Sequence, residues 1–336
     1  MRRMVLTKPG LDNLVIETTK KPLPDRDEIL VRLQAAALNY VDLAVIEGII
    51  TTGHHPLIPV ADGAGVVESV GDDVRGFEPG DLVSTVYIPP WHAGRYRSDM
   101  MPLEIRPGAG LTAGQLSEYK TFKVNEVMHV PSHLSATEAA TLPIAGVTAW
   151  NALSYGDIKP GQTVLIHGTG GVAIFGLQFA KLFGARVIIT SSSDQKLEQA
   201  RNLGADCIIN YKAKDNLSDE ILRATGGEGV DLVVETVGGP NLQISLESLR
   251  PQGHISVVGF LSGVTSNLNL IELNLKRSTL TGVSVGSRED YEEMLAAVTH
   301  SMLRPIIGAV FPFEKTFDAF AFLKSGQHFG KVVITL

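Results

Sequence analysis

From Thr163 onward, short and continuously apolar runs alternate with stretches of helical period. Val164-Leu165-Ile166, Val187-Ile188-Ile189 and Ile208-Ile209 are followed by Asp231-Leu-Val-Val-Glu235 and Ile255-Ser-Val-Val-Gly259. Their length and β-branched content suit strands buried on both faces, as in a parallel sheet. Thr279 to Val285 supplies a sixth run of this kind, with Ser284 read as a strand interior between Val283 and Val285. Between the runs, apolar residues recur at helical spacing, as in Leu177, Phe179, Ala180 and Leu182, and again from Gln195 to Leu203. Alternation of this type predicts an α/β, doubly wound parallel sheet.

Residues 1 to about 125 follow a different rhythm. Val5-Leu6, Leu14-Val-Ile16, Ile29 to Leu33, Gly63 to Gly71 and Gly80 to Val86 read as short strands, punctuated by Pro9-Gly10 and Pro22-Leu-Pro24. The Gly63-Ala-Gly65 within this stretch has no helical pattern after it and is read as a strand-to-strand turn. Residues 89–115 carry Pro, Gly and aromatic side chains without periodicity, a length typical of a lid or binding loop or of an unstructured surface insertion. Ser135 to Leu142 predicts an amphipathic helix with Ser135 as N-cap and Glu138 at the capping-box position. The helical run Tyr291 to His300 leads into a β-rich tail that ends Lys331-Val-Val-Ile-Thr335. The expected organisation is therefore a β-rich domain of residues 1–125 and 290–336, interrupted by the doubly wound domain of residues 126–289.

A chain of 336 residues, 44% of them hydrophobic, suits two globular cores. Its net charge of −7 argues against nucleic acid and anionic membranes as partners. The single cysteine, Cys207, sits beside Ile208 and Ile209 and reads as a small core residue, with no intrachain disulfide to form. No signal-peptide pattern or membrane-spanning run is seen, so a cytoplasmic protein is expected.

The stretch Thr163 to Ala173 carries the most specific chemistry. Gly168-Thr169-Gly170 follows the first buried strand at once, and Gly171-Val172-Ala173 opens a helix. Gly168 suits the tight turn. Gly170, without a Cβ, lets a pyrophosphate approach backbone N–H groups at the positive end of the helix. Ala173 stands where close helix–strand packing is required. This is the fingerprint of a Rossmann dinucleotide site. An NAD site usually carries an acid about 20 residues further on, but the corresponding position here is Ser191, followed by Ser192 and, one helical turn later, Lys196. Hydroxyls with a cation suit a 2′-phosphate, so NADPH is expected over NADH, with Asp194 read as a helix N-cap.

Taken together, Asn39-Tyr-Val-Asp42, Ala61-Asp-Gly-Ala-Gly-Val-Val-Glu-Ser-Val-Gly71, Gly80-Asp81, Ala145-Gly-Val-Thr-Ala-Trp150 and the Gly-rich stretch occur in an order that resembles the medium-chain dehydrogenase/reductase superfamily. The likeness is to its zinc-independent, quinone oxidoreductase-like and alcohol dehydrogenase-like branch. The resemblance implies a β-rich GroES-like catalytic domain beside the Rossmann domain, a cleft between them, and a homodimer. It also implies cofactor contacts from Thr148 near the phosphates, Tyr211 near the 2′-phosphate, Val237 and Gly238, Gly259-Phe260-Leu261 beside the nicotinamide, and Lys331.

Zinc enzymes of this superfamily hold their metal with Cys, His and Cys or carboxylate ligands. By resemblance, those positions here are Asn39, the segment Val60-Ala61-Asp62 and the vicinity of Ala145, and residues 89–115 hold no cysteine for a structural zinc. No metal is therefore expected. His54, His55 and His92 read as loop histidines. Without a Lewis acid, developing alkoxide charge must be met by hydrogen bonds, which favours electron-poor acceptors such as quinones over simple alcohols. Asn39 is the first catalytic candidate, with an amide able to orient a nicotinamide or a substrate carbonyl. Tyr40 and Asp42 adjoin it, the latter as a catalytic group or a loop anchor. The proton donor is left open among His54, His55, Tyr96 and water.

Other readings of the small-molecule chemistry are an alkenal or enoyl double-bond reductase, a zinc-independent alcohol dehydrogenase-like enzyme, and a non-catalytic NADPH-binding protein of crystallin-like or redox-sensing type. Gly282-Val-Ser-Val-Gly286 matches a hydrolase nucleophile elbow, with Asp290 and His300 downstream, but needs a strand-to-helix turn rather than a strand interior. Tyr155 to Lys159 matches a YxxxK spacing whose helix Gly156 and Pro160 oppose.

Overall fold

The computed structural model describes residues 1–50 and 53–336, and the chain separates into two compact units: residues 1–147 with 286–336, and residues 148–285. Residues 126–147, assigned from sequence to the dinucleotide domain, thus pack in the first unit.

In chain order the first unit opens with β1 (Arg2–Leu6), β2 (Leu14–Thr18), β3 (Glu28–Leu38), α1 (Tyr40–Ile46), β4 (Asp62–Val70), β5 (Leu82–Thr85), β6 (Tyr119–Lys123), β7 (Val127–His129) and α2 (Ala136–Ala139). The chain continues through α3 (Val147–Tyr155), β8 (Thr163–His167), α4 (Gly171–Leu182), β9 (Arg186–Ser191), α5 (Asp194–Asn202), β10 (Cys207–Asn210), α6 (Leu217–Ala224), β11 (Val230–Glu235), α7 (Asn241–Ser248), β12 (Leu249–Val257), α8 (Leu270–Lys276) and β13 (Thr279–Gly282). It returns with α9 (Arg288–Ser301), β14 (Ile307–Pro312), α10 (Thr316–Lys324) and β15 (Lys331–Thr335).

In the first unit β14-β15-β3-β4-β5-β7 form one sheet, with β6 pairing the start of β3, while β1 and β2 form a separate hairpin. Leu6, Leu38, Ile46, Leu116, Phe320 and Ile334 build its main core. A second cluster lies under Ile29, Val67, Val83 and Phe122. Sheet register decides what meets at the end of β3. β15 runs antiparallel to β3 with Val332 opposite Leu38, which carries Lys331 to Asn39. On the other side Asp62 stands opposite Ala37.

The second unit is a six-stranded parallel sheet in the order β10-β9-β8-β11-β12-β13, as the alternating pattern predicted. Leu165, Ile188, Val233 and Ile255 are fully buried at its centre, so both faces of these strands are covered.

Several local expectations are corrected. The sixth strand ends at Gly282, and Ser284 lies in the irregular segment that follows rather than in a strand interior; Val285 there has φ +62. Gly63-Ala-Gly65 lies inside β4, where a Cβ on Gly65 would strike the backbone of Leu33, rather than in a turn. The helix predicted from Ser135 has the expected capping box but stops at Ala139, after which Leu142–Gly146 form a wider π-type turn leading to α3. The 89–115 loop is ordered by two short 3₁₀ turns and buries Trp91, Met100 and Arg106.

Close approach of two strand ends fixes one glycine without any ligand. Gly238, just after β11, has φ +70, and a Cβ there would lie 2.6 Å from Gly259 O and 2.7 Å from Phe260 Cα. Substituting Gly238→Ala is expected to destabilise the fold by about 2–4 kcal/mol through backbone strain and overpacking. Urea unfolding checks this, with an unchanged midpoint as the contrary result.

Candidate active site

The Gly-rich turn is held from beneath by a buried polar network. His167 ends β8, and its ring nitrogens contact Thr190 Oγ1 at 3.0 Å and Ser245 Oγ at 3.1 Å; burial lowers its pKa. Ser245 donates to the carboxylate of Glu235, which also accepts from Val237 N at 2.7 Å, Gly238 N at 3.0 Å and Asn241 Nδ2 at 2.7 Å. Thr236 Oγ1 donates to His167 O at 2.6 Å, and Gly168 N to Thr190 O at 2.9 Å. The ends of β8, β9 and β11 are thereby tied together. Glu235 and His167 were not anticipated as site-forming; the only sequence signal was an acid and an imidazole at the ends of two apolar strands.

Above this network Gly168 adopts φ +83, with only Thr236 Oγ1, 3.6 Å away, near a Cβ built on it. Gly170 is the extended N-cap of the 12-residue helix α4 and supplies no side-chain cap. The first N–H groups of that helix lack intrahelical partners, and Gly170 and Gly171 bring no Cβ of their own, which fits a pyrophosphate. Thr169 is buried beside Gly170, Gly171 and Val172 open α4, and Thr148 is buried on α3.

Ser191 ends β9, and its Oγ accepts from Ser193 N at 3.3 Å, with Ser192 between them. The N-cap of α5 is Ser193, which accepts from Lys196 N at 3.4 Å, and not Asp194 as expected. Asp194 instead accepts from Asn210 Nδ2 at 2.7 Å. Asn210 is the register partner of Ser191, so Tyr211, exposed just beyond β10, belongs to the same sheet edge as Ser191 and Lys196. Burial lowers the Lys196 pKa. Val237 and Gly238 follow β11; Gly259, Phe260 and Leu261 follow β12, the last two exposed.

In the first unit the end of β3 gathers four buried polar side chains. Asn39 caps α1. Its Nδ2 donates to Asp62 Oδ2 at 2.8 Å, and its Oδ1 accepts from Lys331 Nζ at 2.6 Å. Both ends of the amide expected to reach a substrate are thus engaged within the protein. Lys331 Nζ also donates to Leu38 O at 2.8 Å, and burial depresses its pKa against the pull of Asp62 and Asp42. Asp42 closes the capping box by accepting from Asn39 N at 2.8 Å and from Ala61 N at 2.9 Å, which fastens α1 to the approach to β4. Burial pushes Asp42 up to about 6 despite these donors.

Asp62 Oδ2 further accepts from Ile144 N at 3.3 Å, whereas its buried Oδ1 has no partner among the described residues. Burial raises Asp62 to about 7, with Lys331 opposing the shift. Tyr40 is exposed at the start of α1. Asp62 was recognised from sequence only as a lost ligand position, not as a partner of Asn39.

The positions that carry zinc in the resembling metal enzymes do not fit that ion here. Among the described residues no group of three or more His, Cys, Asp and Glu side chains can hold a metal. The Lys331 ammonium on Asn39 Oδ1 would confront a divalent cation with like charge.

This pairing of a doubly wound nucleotide sheet with a β-rich unit defines a class of two-domain dehydrogenases, and comparison agrees. The family described as "Alcohol dehydrogenase GroES-like domain" matches residues 25–132, and "Zinc-binding dehydrogenase" matches residues 171–300. A zinc-type alcohol dehydrogenase-like protein of Schizosaccharomyces pombe is 38% identical, over 97% of this chain and 96% of its own. The human quinone oxidoreductase is 28% identical over 94% and 91%. The crystal structure of a putative alcohol dehydrogenase from Sinorhizobium meliloti 1021 superposes with TM-score 0.94 and 39% identity, covering 100% of this chain and 98% of that one. The chain belongs to the medium-chain dehydrogenase/reductase superfamily. It is an oxidoreductase of alcohol dehydrogenase-like or quinone oxidoreductase-like type.

The raised pKa of Asp62 has a signed consequence. A carboxyl held above its ordinary value contributes stability that is present below the ordinary carboxylate range and lost as pH rises through the folded value. The unfolding free energy of the wild type minus that of Asp62→Asn should therefore fall between about pH 4 and pH 8, centred below the folded value of about 7. Urea titrations across that range measure it, and a difference flat with pH contradicts the assignment.

Proposed function

We propose that the protein transfers hydride from NADPH to an electron-poor carbonyl acceptor, a quinone being the type case, without zinc. The observation that carries this reading is the Lys331 ammonium bonded to Asn39 where the zinc enzymes place a ligand. Hydride arriving at an acceptor builds negative charge on its oxygen. Zinc would offset that charge by several kcal/mol; fixed donors and buried cations offset less, which suits acceptors that already stabilise the charge themselves.

When bound, the nicotinamide supplies the hydride. This chain's residues bind and orient. Gly168 to Val172 receive the pyrophosphate, with Thr148 near the phosphates. Ser191, Ser192, Lys196 and Tyr211 receive the 2′-phosphate. Val237 and Gly238 contact the cofactor, and Gly259 to Leu261 lie beside the nicotinamide. Asn39 and Asp42 act as positioning residues, Tyr40 as their exposed neighbour, and Lys331 as the charge that orients Asn39. A homodimer is supported by apolar surface on α8, where Leu270, Ile271 and Leu275 are 70%, 73% and 76% exposed.

Two measurements test this reading. Purified protein assayed with NADPH and NADH against quinones, enones, aldehydes and alcohols should reduce quinones with NADPH and gain nothing from added zinc. Zinc-dependent alcohol oxidation would overturn it, and NADPH binding without turnover of any acceptor would favour a non-catalytic role. Separately, Lys196→Ala should raise the KM for NADPH by about 10- to 100-fold, the worth of one charge-assisted hydrogen bond, and leave that for NADH nearly unchanged. Equal effects on both cofactors would remove the 2′-phosphate assignment.

A further inference from the structure

Beyond the Asn39 network, the first unit buries one more cation among the described residues. Arg106 is 2% exposed, lies in the 89–115 loop, and has no ion-pair partner among the described residues. Its Nη2 donates to Tyr96 Oη at 2.6 Å and to Met100 O, and Tyr96 Oη donates to Met100 O at 2.8 Å. Trp91 packs on Tyr96 with ring centroids 4.9 Å apart. Nη1 is buried and unpartnered. The guanidinium stands 5.4 Å from the ring centroid of Tyr87. Burying a guanidinium without a counter-ion costs several kcal/mol, so its persistence calls for a negative charge in its field.

Tyr87 is the residue placed to bring one. It follows β5 and is 7% exposed. Its hydroxyl makes no hydrogen bond among the described residues and is not one of the fully sealed polar atoms. Tyr96, an earlier candidate for proton donor, is by contrast engaged on both sides.

Resting on the function proposed above, we propose that Tyr87 receives the acceptor's oxygen. Its hydroxyl donates a hydrogen bond to the oxygen that becomes negative as hydride arrives, with the buried Arg106 guanidinium as the fixed positive charge behind it. In that step the hydride carries both electrons to the acceptor carbon, forming a C–H bond. The carbonyl π pair moves onto oxygen, and the C–H bond of the dihydronicotinamide breaks.

Tyr87 keeps its proton throughout, because burial, reinforced by Asp42 and Asp62, raises its pKa above the ordinary phenol value against the pull of Arg106. Water supplies the proton that completes the hydroxyl. The two carboxyl groups weaken this site less than their number suggests. The Asp42 carboxylate is engaged by the Asn39 and Ala61 backbone N–H groups, and Asp62, which burial raises to about 7, stands against Lys331.

The test separates this site from the catalytic reading by using a probe that needs no turnover. 4-Nitrophenol, titrated into the protein and followed by absorbance, mimics an anionic oxygen on an aromatic ring. The wild type should bind its phenolate at least tenfold more tightly than its phenol. Tyr87→Phe should lose that preference, and its kcat/KM for quinone reduction should fall by about 10- to 100-fold while the KM for NADPH stays unchanged. Arg106→Gln should lose the preference as well, and Arg106→Lys, which keeps the charge, should retain part of it if the glutamine variant does not fold.

No phenolate preference in the wild type, or an equal preference in folded Tyr87→Phe, overturns the assignment. Phenolate binding by a wild-type protein that turns over no acceptor with NADPH would instead refute the proposed reaction and leave the Tyr87 site standing. An active wild type matched in kcat/KM by Tyr87→Phe would do the reverse.

Discussion

The first unit depends on an ammonium drawn into its interior. Lys331 Nζ is satisfied by Leu38 O and Asn39 Oδ1, and its charge is offset by Asp42 and Asp62 rather than by a direct ion pair. An isolated buried cation would shed its proton or unfold its surroundings. Here three neighbouring strands deliver the compensation together: β15 brings the lysine, β3 ends in Asn39, and β4 begins with Asp62. The same contacts cap α1 and hold Ala61. Sheet register, helix capping and charge balance are therefore one arrangement, and changing any member exposes the others to an uncompensated polar group.

The two units gather positive potential by opposite means. In the second, the ligand side is built from backbone donors left over at a helix start, and the buried Glu235 and His167 network lies beneath them, fixing the turn. No side chain has to move to create the positive end of that helix. In the first, positive potential comes from two side chains, Lys331 and Arg106, drawn into the interior and held by carbonyls, an amide and a tyrosine. Such preorganised charge costs stability in the folded protein and needs no reorganisation when negative charge develops.

Much of this was legible in the sequence because it is local. Parallel strands announce themselves as apolar runs, the Gly-rich turn sits between strand and helix, and the Ser135–Glu138 capping box spans three residues. Other features were not legible for physical reasons. The bond between Lys331 and Asn39 joins residues 292 apart, which no periodicity reports. Arg106 lies in a Pro- and Gly-rich stretch without periodicity, and only the fold supplies Tyr96 and Met100 as its acceptors. Helix α1 went unmarked because Asn39 and Asp42, its capping residues, invited a chemical reading first. The 3₁₀ turns of the 89–115 loop and the helix α10 lacked the polar–apolar contrast that would separate them from irregular chain.

The claim that Lys331 and Asp62 compensate each other as one buried charge system is tested most directly by a double-mutant cycle on unfolding free energy. Lys331→Met, Asp62→Asn and the pair together would be unfolded in urea at neutral pH. The account predicts that the double variant is more stable than the sum of the single losses implies, with a coupling of about 1–3 kcal/mol. Additivity within about 0.3–0.5 kcal/mol would show that the two groups do not depend on each other, and would contradict it.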